Sequence, residues 1–411
     1  MTYLAFLRGN ARWLGAGALM TLGSTFGQTS FISIYAGEIR ETFGLSHGAW
    51  GLSYTAGTFV SALLLFSFGG IVDRVRARVI GSLVLAGLAL TCVLMSLNPV
   101  AWTLPVLVLG LRFFGQGMLT HVPITAAGRW FSATRGRAVS AITLGVSIGE
   151  AMLPFIFVSL MALYGWRASW AIAGGVLLLA IPLLMTLLRQ ERTPQTLAKE
   201  AGGLGLHHRH WSRRDVLGHW LFWVTLPVFM AQPVFVTALF FQQVHLTVLK
   251  GWDLADFVGT FPLFTLANVG ALFLGGWISD RWGAHRLAPV AYLPLAIALA
   301  IMAVAETVPV AAVAMVALGL SMGFGGALSG AYWAEVYGTR HLGSIRAVAT
   351  AVMVFASAVG PGVTGVLIDA GVDFRTQLLA MAAFTFAMCG VFFGAMARIR
   401  ADLPGGTQVQ R

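Results

Sequence analysis

A chain of 411 residues that is 58% hydrophobic and only 10% charged, with a mean hydropathy of +0.82, has too few charges to cover a water-facing surface, because soluble domains carry about a quarter of their residues as charges. The net charge of +11 would suit a nucleic-acid partner only on the basic face of a soluble domain, and no stretch of the sequence supplies one. What remains is an integral membrane protein, whose long continuous apolar runs ask for helices and not for the alternating strands of about ten residues that build a β-barrel.

With about 20 apolar residues needed per span, the sequence predicts helices over residues 13–36, 50–72, 79–97, 102–127, 138–163, 167–188, 218–243, 256–279, 287–305, 309–334, 347–368 and 376–397. The first run is too long for a signal-peptide core and no small-residue cleavage pattern follows it, so it is expected to be a retained span. Between the sixth and seventh runs lies the longest polar stretch, RQERTPQTLAKEAGGLGLHHRHWSRRD (189–215). The expected architecture is therefore all-α, with twelve transmembrane helices in two six-helix pseudo-symmetric halves. The halves cover residues 1–188 and 217–400, joined by a cytoplasmic linker over 189–216 and followed by a tail over 401–411.

An even number of spans places both termini on one side. With the termini inside, 21 of the 26 Lys and Arg residues fall in inner segments, four (Arg40, Arg167, Lys250, Arg375) fall outside, and Arg112 lies within a span. This is the positive-inside asymmetry, so both termini and the linker are expected in the cytoplasm.

Two charged stretches interrupt the apolar pattern at equivalent places, GGIVDRVRAR (69–78) after the second helix and GGWISDR (275–281) after the eighth. The halves thus read as parallel repeats, a recognised transporter plan. Gly69-x-x-x-Asp73-Arg74 with Arg78, and Gly276-x-x-x-Asp280-Arg281-x-Gly283, resemble the signature loops of the major facilitator superfamily, and the resemblance covers essentially the whole chain. The first copy departs from the pattern, with Arg76 where a glycine is usual. The resemblance implies alternating access with these eight residues as gating loops. Physically, glycine admits a neighbouring helix while the acid and arginines can pair differently as the halves rock.

A second run is similar to the helix-four-to-six region of monocarboxylate and oxalate/formate porters and their bacterial relatives. It holds Pro123, Arg129-Trp130-Phe131, Arg135-Gly136-Arg137-Ala138, Gly145-x-x-x-Gly149-x-x-x-x-Pro154 and Gly165-Trp166-Arg167. That branch usually carries a substrate-binding arginine in the eighth helix, where this chain has none before Asp280. The drug-exporting branch usually has a Gly-Pro pair in helix five, where this chain has Gly149-Glu150.

A charge near the bilayer centre costs at least about 2.5 kcal/mol on insertion scales, so it needs a partner, a watery cavity or a function. Two stand out, Arg112 in helix four and Glu150 in helix five. Counting residues from the outer end puts them at nearly one depth. If they pair, Glu150 is a proton or charge-relay site and Arg112 its partner or the anchor of an anionic substrate; the alternative is a static ion pair that pins two helices. Gln116, four residues on, shares the face of Arg112, whereas His121 is on the opposite face and reads as a packing residue. Gln232 and Gln243, eleven apart, fall on nearly one face of helix seven. In the resembled family helices one, four, seven and ten surround the cavity, which makes Gln28, Arg112, Gln116, Gln232 and Gln243 the substrate-binding candidates, although such glutamines also simply bridge helices. Asn268 and Tyr332 are weaker candidates, and Glu335 is expected to pair with a local arginine.

Other signals carry less. Gly145-Val146-Ser147-Ile148-Gly149 has the spacing of a hydrolase nucleophile but lies inside an apolar helix. His207-His208-Arg209-His210 lacks a Cys or acid at ligand spacing, and no phosphate-cradling loop is present. Cys92 and Cys389 read as small core residues. The expectation is a proton-coupled secondary transporter, a symporter of a small organic anion of carboxylate type, and not an enzyme. It is expected as a monomer in the inner membrane of a bacterium, with protons, lipids and a small-molecule substrate as partners and no nucleic acid, metal or cofactor. A proton-driven exporter, or a membrane sensor on the same fold, are the alternatives.

Overall fold

The computed structural model describes residues 3–68, 71–72, 75–131, 134–190, 205–209, 211–338 and 341–403, with helices and no strand among them. Nine helices among these residues are long and apolar enough to cross a membrane. One of them, Arg135–Leu187, is broken at Gly165, whose φ of 81° and ψ of 163° interrupt the helix and let two spans run on from each other. The first span is broken into short pieces and the ninth is only Leu293–Val304. Counting these, the twelve expected spans are all present.

They are numbered here α1 (11–43), α2 (His47–Phe68), α3 (Ala77–Leu97), α4 (Ala101–Trp130), α5 (135–164), α6 (166–187), α7 (Trp220–Phe241), α8 (Phe261–Trp282), α9 (Leu293–Val304), α10 (Val308–Tyr337), α11 (Leu342–Asp369) and α12 (Phe374–Ile399). After α7 the chain turns at Gln242 and continues as the short helix Gln243–Lys250.

The chain divides into two compact units. The first holds Met1–Lys199 together with Phe240–Thr247 and Pro361–Asp369, and the second holds Glu200–Leu239, Val248–Gly360 and Ala370–Arg411. The residues of α7 and α11 are thus shared between units.

Within the first unit, α1 packs on α4 and α5 through glycines. A methyl on Gly145 would lie 2.1 Å from the Ala18 carbonyl oxygen and one on Gly149 2.0 Å from Oγ1 of Thr25. Lipid tails are as apolar as leucine, so van der Waals contact between closely approaching backbones, and not removal from water, holds such helices together. An aromatic group fixes α1 further along: Phe31 meets Phe157 of α5 and Trp170 of α6 edge-to-face, with centroids 5.1 and 5.6 Å apart.

Within the second unit, α8 and α10 meet in the same manner, Gly319 against the carbonyl of Phe264 and Gly323 against that of Asn268. Phe229, Tyr332, Trp333 and Phe392 form its buried aromatic centre. Part of the expected linker joins this core. Leu206 and Trp211 are buried against Tyr337, the Trp211 indole N–H donates to the Leu206 carbonyl at 3.0 Å, and Ser212 and Asp215 close a capping box on the short helix Arg213–Leu217. The apolar residues Leu206, Trp211 and Val216 dock this otherwise polar stretch.

Candidate substrate site

The site starts from a failure of helix geometry in α1. Ala11–Ser24 is regular, Thr25–Gly27 tightens to a 3-10 turn, and Gln28 is extended at φ −77° and ψ 151° before the helix restarts at Thr29–Ile32. The sequence Thr25-Phe26-Gly27-Gln28-Thr29-Ser30 favours this, because glycine is a poor helix former and hydroxyl side chains compete for backbone carbonyls. Ser24 donates to the Thr21 carbonyl and Ser33 to that of Thr29.

Opposite the break, Leu111–Met118 of α4 winds as a π-helix, a form found mostly as single turns at functional places. The two irregularities fit one another. A methyl on Gly27 would lie 2.2 Å from the Leu111 carbonyl oxygen, and one on Gly115 2.6 Å from the Gly27 Cα.

Arg112 projects from the π segment and is 2% exposed. Its Nη1 donates to the Gly27 carbonyl oxygen at 3.2 Å and to Oγ1 of Thr29 at 3.3 Å, and its guanidinium lies 5.5 Å from the centre of the Tyr54 ring. The Tyr54 hydroxyl is 2.6 Å from the same Thr29 Oγ1. Arg112 Nε is buried without a hydrogen-bond partner. Of five guanidinium donors, most therefore remain to be satisfied, and the charge has neutral dipoles around it and no carboxylate among the described residues.

The expected ion pair is absent: no ion pair joins Arg112 to Glu150. Glu150 is half-buried on α5, beside Gly149, which abuts Thr25. Equal depth along two helices fixes height and says nothing of the direction in which each side chain leaves its helix, and Arg112 is drawn to the free carbonyl at the break.

Gln28, at the break, and Gln116, in the π segment, are both half-buried. Gln243 is fully buried in the first unit, its Nε2 donating to the Ser30 carbonyl at 2.9 Å and to Ser33 Oγ at 2.7 Å. Gln232 belongs to the second unit, where its Nε2 donates to the Ser321 carbonyl at 2.8 Å. The turn at Gln242 interrupts the helix on which their shared face was counted. Tyr332 is fully buried in the aromatic centre of the second unit, and Asn268 supplies its backbone to the α8–α10 contact.

Of the gating residues, Gly69, Asp73 and Arg74 lie outside the described residues. Arg78 lies in the first turn of α3, and nearby the Arg129 guanidinium donates to the Val72 carbonyl. Gly276, Asp280 and Arg281 lie in the last turns of α8 and not in a loop, and Gly283, at φ 87°, ends the helix. Glu335 pairs with His285 and accepts the Ala284 backbone N–H, while Arg340 and the side chain of Arg346, the local arginines expected to meet it, lie outside the described residues.

Thr29 and Tyr54 complete the surroundings of Arg112 and were not among the expected residues. Thr29 stood beside Gln28 in the sequence, and Tyr54 was a lone phenol in an apolar run.

The sequence profile of the Major Facilitator Superfamily matches residues 17–361 and again 263–408. The chain belongs to that superfamily. Its fold is similar to that of a bacterial homologue of the human lysosomal transporter Spinster. The inward-facing unoccupied form gives a TM-score of 0.73 at 17% identity over 96% of this chain and 98% of that one, and the occupied form gives 0.72 at 18% identity over 97% and 98%. The nucleoside transporter NupG, solved as a point mutant, gives 0.70 at 13% identity over 93% of this chain and 99% of that one. A sequence relative is the membrane sensor protein UhpC of Salmonella typhimurium, 23% identical over 288 residues. That match spans 66% of this chain and 63% of the relative's length. At these identities the solved structures speak for the fold alone.

Proposed function

We propose that the protein is a secondary active transporter of a small organic anion, with the anionic group seated at Arg112 beside the break in α1. The observation that supports this is a buried guanidinium with no carboxylate partner among the described residues and with unused donors, at a place where two helices are both irregular. Discontinuous spanning helices are where transporters commonly bind their substrates, and an arginine fork suits a carboxylate better than a point charge does. Thr29 and Tyr54 hold the guanidinium in place, and Gln28 and Gln116 supply neutral donors from the same two irregular segments. In this reading Glu150, free of Arg112, carries the coupling proton. The protein works as a monomer in a bacterial inner membrane, with both termini in the cytoplasm.

Purified protein is screened by thermal shift against short carboxylates and their uncharged amides, since a binder of the native state raises apparent stability. Stabilisation by a carboxylate and not by its amide, lost in Arg112→Gln, is the expected result. Equal responses to acid and amide would remove the anion from the proposal. Substrate entry into proteoliposomes should carry protons with it in the native chain and should cease to do so in Glu150→Gln.

The similarity to UhpC favours one second reading, a membrane sensor on this fold. Ligand binding at Arg112 without substrate counterflow in proteoliposomes would select it. Extrusion of toxic compounds with no response to carboxylates would select an exporter instead.

A further inference from the structure

Where α1 ends and α2 begins, the first unit gathers polar side chains from four elements. His47 opens α2 and meets His245, of the helix Gln243–Lys250, ring edge to ring face with centroids 4.3 Å apart. Asp369, the last residue of α11, accepts the backbone N–H groups of His47 at 3.1 Å and Gly48 at 2.8 Å, so it caps α2. Arg40, from the last helical piece of α1, acts on both His47 and Asp369, and its Nε donates to the Leu45 carbonyl. Gln242 lies beside His47 and donates to Oγ1 of Thr364 at 3.2 Å.

The backbone around this group is closely fitted. A methyl on Gly365 would lie 2.4 Å from the His47 carbonyl oxygen, and one on Gly51 2.4 Å from that of Pro361. At Gly51 and Gly365 main chain meets main chain, so a displacement there finds no movable side chain to absorb it and the joint is either closed or parted.

The charged and titratable groups facing His47 are Arg40 from α1, His245 from the Gln243–Lys250 helix and Asp369 from α11. Around His47, Arg40 and Asp369 cancel, so its surroundings are neutral when both imidazoles are neutral. A first proton leaves them with net positive charge. A second puts like charges on two touching rings, while both Asp369 oxygens are already engaged by the start of α2. Imidazole changes charge within the ordinary range of pH.

We propose that the His47–His245 pair is a proton-operated latch: neutral, it holds residues 240–247 and 361–369 against α2, and protonated, it releases them. It does not depend on what Arg112 binds.

Hydrogen–deuterium exchange of residues 243–250 and 361–369 tests this in the full chain in lipid nanodiscs, at about pH 7.5 and about pH 5.5, with rates corrected for intrinsic exchange. Protection in the native chain should fall about tenfold or more at the lower pH, and should stay at its higher level in His47→Gln/His245→Gln. Unchanged protection in the native chain overturns the proposal without any variant. So does a double variant that loses protection as the native chain does. Should the double variant not fold, His245→Phe keeps the ring contact without a titrating group and is expected to be equally insensitive to pH.

Discussion

Gly27 and Gly115 meet backbone to backbone, each occupying the space where the other's side chain would begin. The contact joins the break in α1 to the π segment of α4, and it sets the distance at which Arg112 reaches the Gly27 carbonyl. Gly115→Ala should therefore destabilise the protein by at least about 1–3 kcal/mol, since overpacking here meets main chain and not a movable side chain. Gly175, in α6, has nothing within 4 Å of its missing Cβ. Gly175→Ala should be neutral or stabilising by up to about 1 kcal/mol, because alanine is the better helix former. Thermal unfolding of the two variants in one detergent makes the comparison, and equal effects would mean that the close approach is not tight.

Arg112→Met separates a structural arginine from a binding one. The substitution removes a buried charge and gives up the hydrogen bonds to Gly27 and Thr29, though Thr29 keeps its contact with Tyr54. A charge at membrane depth costs at least about 2.5 kcal/mol, whereas one unsatisfied carbonyl costs about 1–3 kcal/mol. Without ligand the variant should be as stable as the native chain or more stable by about 1 kcal/mol, and its response to anions should vanish. A large loss of stability without ligand would mark Arg112 as a tether.

Ser33 ties the restarted part of α1 to the end of α7. Its Oγ lies 2.6 Å from the carbonyls of both Thr29 and Phe240, and it accepts the Gln243 amide at 2.7 Å. One hydroxyl donates one proton at a time, so the two carbonyls share it. Ser33→Ala leaves the Phe240 carbonyl without this donor in a buried place and should cost about 1–3 kcal/mol. The loss should also appear as faster amide exchange in residues 243–250, and a variant with native melting temperature and exchange would contradict it.

The twelve spans were legible because a bilayer demands long apolar runs, a constraint that neighbouring helices cannot relax. The irregularities were not legible in the same way. Gln28 unwinds and Leu111–Met118 widens because each accommodates the other's backbone, and a single helical pattern holds no record of its neighbour. Arg112 was found because a lone charge in an apolar run is conspicuous. Its partners were missed because residue counting gives depth and not direction. Gln232 and Gln243 were placed on one face by assuming an unbroken helix, and the turn at Gln242 removed that assumption. The docked part of the linker was visible in principle, since Leu206 and Trp211 are apolar residues in a polar stretch.

That docked segment supports the last prediction. Trp211 is 2% exposed, stacks under the Arg209 guanidinium at 3.8 Å and packs on Tyr337. Trp211→Ala should loosen residues 211–217 by about 3 kcal/mol, the lower end for losing a buried tryptophan side chain. The capping box gives the same segment a dependence on pH. The hydroxyl and backbone N–H of Ser212 both donate to Asp215 and hold its carboxyl below the usual range. A carboxyl lowered in the folded state contributes stability that is present above its unfolded value of about 3.9 and is lost as pH falls through the lower folded value. Exchange protection of residues 213–217 should thus be steady from neutral pH down to about pH 4 and then decline. In Ser212→Ala it should be lower throughout, because the cap is gone, with a smaller decline. Identical pH profiles for the native chain and Ser212→Ala would show that the box contributes nothing to the docking.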